Sequence, residues 1–158
     1  MPLPHLSIQV INFAATGPGD WQVLSDHAVA ADQVGVDRLA VSDHVVFGDD
    51  LADYADPAKG GTAGGRQPTG PDGLWLEPLT TLTWLAARTT RIRLQTGILL
   101  AALRRPVVLA KTTATLDVLS GGRLDLGVGV GWQAAEYEAA GLDFRSEEHT
   151  SELQSHLN

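Results

Sequence analysis

The sequence predicts an α/β fold made of four βα units whose strands run parallel. Short apolar runs alternate with longer segments of helical periodicity over residues 6–144, in the order β-α-β-α-β-α-β-α. Because every connection between consecutive strands contains a helix, parallel strands and right-handed crossovers are expected. This local pattern leaves two architectures open, half of a (β/α)₈ barrel and a small open sheet.

The first unit begins with a β-rich apolar run, Leu6–Phe13, which predicts a strand. A helix is predicted over Trp21–Val34, where apolar residues recur at helical spacing. Asp20 is suited to cap its start and Gly35 to close its end. A second short strand is predicted over Asp37–Val41.

Residues 45–73 break this rhythm. The segment contains seven glycines from Gly48 onward and three prolines, with almost no apolar periodicity. A structureless loop of this length is unusual in a compact domain and is often functional or disordered. Its place after the second strand makes it a candidate substrate lid, and a variable surface insertion is the alternative.

The regular pattern resumes with a helix over Glu77–Arg88 and a third strand over Arg91–Gly97. A third helix starts at Pro106, where the missing N–H of proline costs nothing. The apolar run Leu124–Val130 predicts a fourth strand covered on both faces, and Gln133–Ala140 a short helix. The apolar face expected for the third helix consists of Val107, Val108, Ala110, Ala114, Leu116 and Leu119.

Composition excludes several classes of function. The 158 residues carry a formal net charge of −8, which argues against nucleic acid or an anionic membrane as a partner. There is no cysteine, so disulfides and thiolate metal sites are excluded, and no metal site is predicted. No apolar run approaches the ~20 residues of a membrane-spanning helix, and the N-terminus lacks the features of a signal peptide. A cytoplasmic protein that acts on a small molecule is expected.

His44 is the strongest candidate for a catalytic residue. It follows Asp43 at the carboxyl end of the second strand, which is where α/β folds place their ligands. An imidazole can accept a proton while hydride leaves a substrate carbon, because its unperturbed pKa lies near neutrality. A surface or helix-capping histidine is the alternative.

Glycine-rich turns at two other strand ends are candidate cofactor contacts. Thr96, Gly97 and Ile98 end the third strand, and glycine there permits a strained peptide. Gly129 and Gly131 end the fourth strand, where backbone N–H groups could bind an anion or a ring oxygen. Trp132 follows them and could stack near a cofactor. An ordinary strand-ending glycine and tight helix–strand packing are the alternatives.

Four charged residues complete the set of candidates. Arg104 and Arg105 precede the third helix and could hold a phosphate or an acidic substrate, with ordinary surface arginines as the alternative. Asp125 interrupts an apolar strand, so we expect it to face a polar layer or a partner such as Arg123. Glu136 is expected on a solvated helix face.

A long stretch of this region resembles a known family. The segment LAKTTATLDVLSGGRLDLGVGVGW, residues 109–132, is similar to the signature of the luciferase-like monooxygenase superfamily, in particular its branch that uses the deazaflavin coenzyme F420. The resemblance covers Leu6 to about Phe144 and implies a (β/α)₈ barrel of about twice this length. The chain would then be its first four βα units, a truncated TIM barrel, and the intact protein a homodimer.

The resemblance also implies roles for single residues. The motif Ser42-Asp43-His44 resembles that of deazaflavin-dependent alcohol and sugar-phosphate dehydrogenases, in which the matching histidine contacts the cofactor and acts as a base. In related enzymes the position matching Gly97-Ile98 forms a bulge, often with a cis bond, behind the flavin ring. The sugar-phosphate dehydrogenases carry a tryptophan and a glutamate where this chain has Phe47-Gly48 and Trp132, which argues against a sugar phosphate as the substrate.

These implications define the expected activity. The intact enzyme would move a hydride between coenzyme F420 and a small organic substrate, with His44 assisting the proton. One alternative is a monooxygenase of the same superfamily that uses flavin mononucleotide (FMN) and activates oxygen. A second alternative is a non-catalytic binding protein or an inactive fragment.

The polar tail divides the chain into residues 1–144 and 145–158. Residues 145–156 resemble the translation of a common sequencing adapter, and without them the net charge is about −6. On this interpretation the barrel is interrupted at about Phe144, which leaves unpaired strand edges. We therefore expect the isolated chain to aggregate or to dimerise through those edges, and a monodisperse monomer in size-exclusion chromatography would refute this.

Overall fold

The computed structural model describes residues 5–15, 17, 19–48 and 51–144. The proposed tail, residues 145–158, lies outside the described residues. In chain order the elements are β1 (Ser7–Gln9), β2 (Phe13–Ala14), α1 (Trp21–Val34), β3 (Arg38–Val41), two 3₁₀ turns (Ala52–Ala55 and Pro57–Lys59), β4 (Leu74–Trp75), α2 (Pro78–Ala86), β5 (Arg93–Thr96), β6 (Leu99–Leu100), a 3₁₀ turn (Ala101–Leu103), α3 (Pro106–Ser120), β7 (Leu124–Asp125), β8 (Val128–Gly129) and α4 (Ala134–Ala139).

Four parallel strands form the main sheet, in the order β1-β3-β5-β7. Strand order follows chain order, and a helix lies in each connection, which confirms the α/β prediction with parallel strands. Two short pairs extend this sheet at its carboxyl edge: β2 pairs antiparallel with β4, and β6 pairs parallel with β8.

Local signals set the ends of α1 as predicted. The Asp20 side chain accepts a hydrogen bond from the Val23 N–H at the first turn. Gly35 ends the helix in the left-handed conformation, with a φ of 94° that favours glycine. Leu24 and Ala28 lie one helical turn apart on the buried face of the helix.

The core lies between one face of the sheet and helices α1 and α2. Leu39 and Leu94 point from adjacent strands into this layer, where they meet Leu82 and Leu85 of α2, and all four are fully buried. Because side chains alternate across a strand, the neighbouring residues of β3 and β5 face the opposite side, which in a barrel is the interior. The sheet therefore has one apolar face and one polar face.

The first strand is shorter than predicted. The run Leu6–Phe13 divides into two strands because β1 pairs with β3, whereas β2 pairs with Leu74–Trp75. Asn12 lies between the two strands and is fully buried. Its side-chain amide donates to the carbonyl oxygens of Ser42 and Leu76, and its amide oxygen accepts from the Ser42 N–H.

The expectation that residues 124–130 form one strand covered on both faces is wrong. The chain forms β7 and β8 with a break at Leu126-Gly127, because the Gly127 carbonyl oxygen accepts hydrogen bonds from the Thr96 hydroxyl and the Leu99 N–H. Within the described residues, β7 and β8 have strand partners on one side only. The side chains of Leu126, Val128 and Val130 are exposed.

The apolar face expected for α3 is also largely wrong. Val107, Val108 and Leu119 are exposed, whereas Leu116 is buried and Leu109 packs partly against the core. The helix packs against α2 and β7 along the stripe that contains Leu109 and Leu116. Its other apolar side chains are not buried by any of the described residues. Self-association through these surfaces stays a prediction.

Candidate active site

His44 lies just beyond the carboxyl end of β3, with both ring nitrogens engaged. Its Nδ1 lies 3.3 Å from Oε1 of Glu136, and its Nε2 lies 3.0 Å from the Tyr54 hydroxyl. The imidazole side chain is 15% exposed. The three side chains come from a strand end, a helix and a loop, so they meet only in the folded chain.

Glu136 is buried, which overturns the expectation of a solvated position. Its side chain is 2% exposed, and Oε1 also accepts a hydrogen bond from the Val45 N–H at 2.7 Å. The physical reason is the position of α4, whose first turn follows the end of β8 and faces the residues that leave β3. An acidic residue in a first helical turn was the available signal in the sequence, but it did not reveal the partner.

Three aromatic rings surround the imidazole. Phe47 lies 4.8 Å from His44 between ring centroids, Trp75 lies edge-on at 4.7 Å, and Tyr54 lies at 6.1 Å. Phe13 stacks on the far face of this cluster, 4.3 Å from Trp75. An apolar surrounding of this kind excludes water and strengthens the electrostatic interactions of the His44–Glu136 pair.

The long segment 45–73 reaches His44 through one residue, Tyr54, which belongs to the first 3₁₀ turn. Burial raises the pKa of the Tyr54 hydroxyl well above its ordinary value, and the negative charge of Glu136 raises it further. The hydroxyl is therefore protonated and can donate a hydrogen bond. The segment contributes to the candidate site, and its closure as a lid stays a prediction.

Hydrogen bonding assigns the protons of the imidazole. An ionised carboxylate only accepts hydrogen bonds, so the Nδ1 that faces Glu136 carries a proton. In the neutral ring Nε2 is then an acceptor, to which the Tyr54 hydroxyl can donate. This places the basic lone pair of His44 on the side of the ring away from Glu136.

Asp43 and Arg104 bind each other. The Asp43 side chain is 1% exposed and accepts from both terminal nitrogens of Arg104, at 2.5 Å and 3.1 Å, and from the Leu100 N–H. Burial disfavours the charged form of Arg104, but hydrogen bonds and the charges of Asp43 and Glu77 outweigh it, so its pKa is raised. Arg105 is exposed. Ligand contact by Asp43, Arg104 or Arg105 stays a prediction.

The third strand ends in an unusual backbone. The peptide bond between Gly97 and Ile98 is cis, as the family resemblance implies. Thr96 is fully buried and donates its hydroxyl to the Gly127 carbonyl oxygen at 2.7 Å. The Ile98 side chain, in contrast, is partly exposed.

Gly129 and Gly131 lie beside the residues that follow this cis bond. A Cβ atom on Gly129 would lie 2.1 Å from the end of the Ile98 side chain. Gly131 has a φ of 84°, in the left-handed region that favours glycine. Trp132 packs edge-on against Tyr54 at 4.9 Å. Cofactor contact by Gly129, Gly131 and Trp132 stays a prediction.

Gln133 was not singled out from the sequence. Its side chain is buried, and its Oε1 is the one buried side-chain polar atom without a hydrogen-bond partner in the part of the chain that the structure describes. Buried acceptors of this kind call for an explanation, and a bound ligand is one. No sequence pattern distinguishes this glutamine from a solvated one.

Asp125 faces a polar layer, which is one of the two expectations for this residue. The other expectation, a pairing with Arg123, is wrong. Asp125 accepts hydrogen bonds from Arg38 at 2.8 Å and from Arg93 at 2.6 Å. The parallel register places these side chains on the same face of the sheet. Arg123 precedes β7 and turns to the opposite side, where it donates to the Ala86 carbonyl oxygen.

Two further observations concern the described residues only. Their His, Asp and Glu side chains form no group of three or more that could hold a metal ion. None of their helices is both long enough and apolar enough to cross a bilayer.

Comparison with known proteins assigns the family. A family model described as luciferase-like monooxygenase matches residues 7–152. The chain belongs to this family. It is 35% identical over 123 residues to the F420-dependent glucose-6-phosphate dehydrogenase of Kineococcus radiotolerans, covering 77% of this chain and 30% of that protein. It is 40% identical over 67 residues to the pyrimidine monooxygenase RutA of Bradyrhizobium sp. strain BTAi1, covering 42% of this chain and 18% of that protein.

Solved structures agree on the fold. The monooxygenase RslO1 from Streptomyces bottropensis superposes with a TM-score of 0.63 at 24% identity, over 91% of this chain and 39% of that chain. The parallel α/β fold is thus that of the luciferase-like (β/α)₈ barrels. The match covers about a third of the length of the dehydrogenase and of RslO1, so the chain corresponds to part of these proteins.

Proposed function

We propose that this chain supplies the His44 side of the active site of a luciferase-like oxidoreductase. The reaction is hydride transfer between coenzyme F420 and a small organic substrate, with His44 holding the substrate's proton. The observation that carries this proposal is the buried Glu136–His44 pair at the carboxyl end of the sheet. Similarity to an F420-dependent dehydrogenase supports the choice of coenzyme.

The chemistry of the pair follows from its geometry. Glu136 orients the imidazole through Nδ1 and leaves the Nε2 lone pair as the proton acceptor. When Nε2 takes a proton, the ring becomes a cation 3.3 Å from a buried carboxylate, and the pair stabilises the charge that develops. The surrounding aromatic rings keep water from screening it.

The residues at the two turns are compatible with a deazaflavin. The ring of this coenzyme carries N–H donors, and the unpartnered Oε1 of Gln133 is an acceptor of the matching kind. Gly97 and Ile98 would back the ring, and Trp132 would border it. When bound, the coenzyme accepts or releases the hydride.

The substrate is better described as a small neutral molecule than as a sugar phosphate. Arg104, the candidate for holding a phosphate on this part of the chain, is neutralised by Asp43 and Glu77. Phe47-Gly48 also departs from the pattern of the sugar-phosphate enzymes. We take the intact enzyme to be a cytoplasmic homodimer, in line with the family resemblance.

A monooxygenase that uses FMN is the second candidate function, and similarity to a pyrimidine monooxygenase favours it. The two are separated by titrating the full-length protein with coenzyme F420 and with FMN, followed by fluorescence. Tight binding of FMN alone would replace the first proposal with the second.

Replacing His44 by alanine in the full-length enzyme tests the role of the base. We expect turnover to fall about 100-fold or more, the usual contribution of a positioned general base. His27→Ala is the matched control, since His27 is exposed on α1, and it should leave turnover unchanged. Unchanged turnover in His44→Ala would overturn the assignment.

A further inference from the structure

The basic nitrogen of His44 is already occupied in the folded chain. The Tyr54 hydroxyl lies 3.0 Å from Nε2, and the imidazole is bordered by Phe47 and Trp75 on its other sides. A substrate hydroxyl therefore meets Tyr54 before it meets Nε2. Either Tyr54 moves aside, or it takes part in the proton transfer.

Several features hold Tyr54 in this position. Its carbonyl oxygen accepts from the Thr62 N–H, and a Cβ atom on Gly65 would lie only 2.4 Å from that oxygen. A Cβ atom on Gly61 would lie 2.2 Å from the Asp53 carbonyl oxygen. The glycines of the long segment thus let the chain close tightly around the 3₁₀ turn. Trp132 adds an edge-on ring contact to the Tyr54 phenol.

We propose, on the basis of the function above, that Tyr54 is a second catalytic residue that passes the substrate's proton to His44. The hydride leaves the carbinol carbon for the coenzyme with both electrons of the C–H bond. The hydroxyl proton of the substrate moves to the Tyr54 oxygen while the proton of Tyr54 moves to Nε2. The substrate becomes a carbonyl compound, oxidised by two electrons, and Tyr54 ends as it began. The proton rests on His44 beside Glu136.

A phenol is suited to this relay because it accepts and donates at one oxygen. Burial and the nearby charge of Glu136 keep the Tyr54 hydroxyl protonated, since they raise its pKa. Tyr54 therefore shuttles a proton between two partners and does not itself act as a phenolate base. The base of the chain remains Nε2 of His44.

Tyr54→Phe in the full-length enzyme is the direct test, because it removes the hydroxyl and keeps the ring. We expect kcat to fall about 100-fold, the lower range for lost acid–base catalysis, with KM and coenzyme affinity changed less than about twofold. The second tyrosine of the chain provides the control. Tyr137 donates to the Val130 carbonyl oxygen, so Tyr137→Phe should keep kcat within about twofold of wild type.

One readout does not depend on rate alone. In ¹⁵N NMR spectra the Nε2 resonance of His44 should shift in Tyr54→Phe, because a hydrogen-bond donor is lost. The titratable groups that face this ring are Glu136 from α4 and Tyr54 from the loop, while Phe47 and Trp75 bring no charge.

The outcomes separate the two proposals. A higher kcat or a lower KM in Tyr54→Phe would mean that Tyr54 only blocks access to Nε2 of His44. This result would overturn the relay while His44 stays the base. Unchanged kcat or an unshifted Nε2 resonance would overturn it equally. A wild-type enzyme that does not bind coenzyme F420, or a silent His44→Ala variant, would instead overturn the proposed function.

Discussion

Glu136 offers the sharpest test of the site, through the substitution Glu136→Gln. Glutamine has nearly the same shape and can keep the hydrogen bond from the Val45 N–H, so the change mainly removes the negative charge. The carboxylate lies 3.3 Å from Nδ1 of His44, and both side chains are shielded from solvent. The substitution therefore isolates the contribution of the charge to the imidazolium that forms during turnover.

The expected magnitude follows from this distance. At 3.3 Å and an effective dielectric constant of about 20, the attraction between unit charges is about 5 kcal/mol, an upper bound before desolvation. Hydrogen bonds to charged groups have a net value of about 1.5–3 kcal/mol. A loss of about 2–3 kcal/mol in the transition state corresponds to a fall in kcat of roughly 30- to 150-fold.

The assay is steady-state turnover of the full-length enzyme with saturating coenzyme. Glu138→Gln is the matched control, because Glu138 lies on the same helix and is exposed, and its kcat should stay within about twofold of wild type. Removing the charge should also lower the raised pKa of Tyr54, which ultraviolet difference titration can follow. A fall in kcat of less than about threefold, with an unchanged Tyr54 pKa, would refute the reasoning.

Two predictions concern the charged side chains away from His44. Arg104→Met leaves the buried Asp43 carboxylate without its ion-pair partner, so the free energy of unfolding measured in urea should fall by about 3–5 kcal/mol. Arg105→Met changes an exposed residue and should alter this free energy by less than about 0.5 kcal/mol. Equal effects of the two substitutions would contradict the ion pair. Hydrogen bonds from Arg93 hold the pKa of Asp125 below its usual range, so the stability it provides is present above about pH 4 and is lost as the pH falls further. Urea midpoints at pH 5 and pH 3 should therefore differ less in Asp125→Asn than in wild type, and equal losses would argue against this contribution.

The sequence predicted the elements whose signals are local. The ends of α1 were predictable because Asp20 and Gly35 act within one turn of the helix they bound. The parallel order of the strands was predictable because a helix lies in each connection. The position of His44 at a strand end follows from the same rhythm, and the cis bond at Gly97 from the family resemblance.

The partners of these residues were decided by the tertiary structure. Glu136 lies 92 residues from His44 along the chain, and its burial depends on how α4 turns back over the end of β3. Tyr54 comes from a loop without periodicity, whose path is set by close backbone packing. Local patterns place a side chain on a strand end or a helix face, but hydrogen bonds between distant elements depend on register and loop path, which only the folded chain determines.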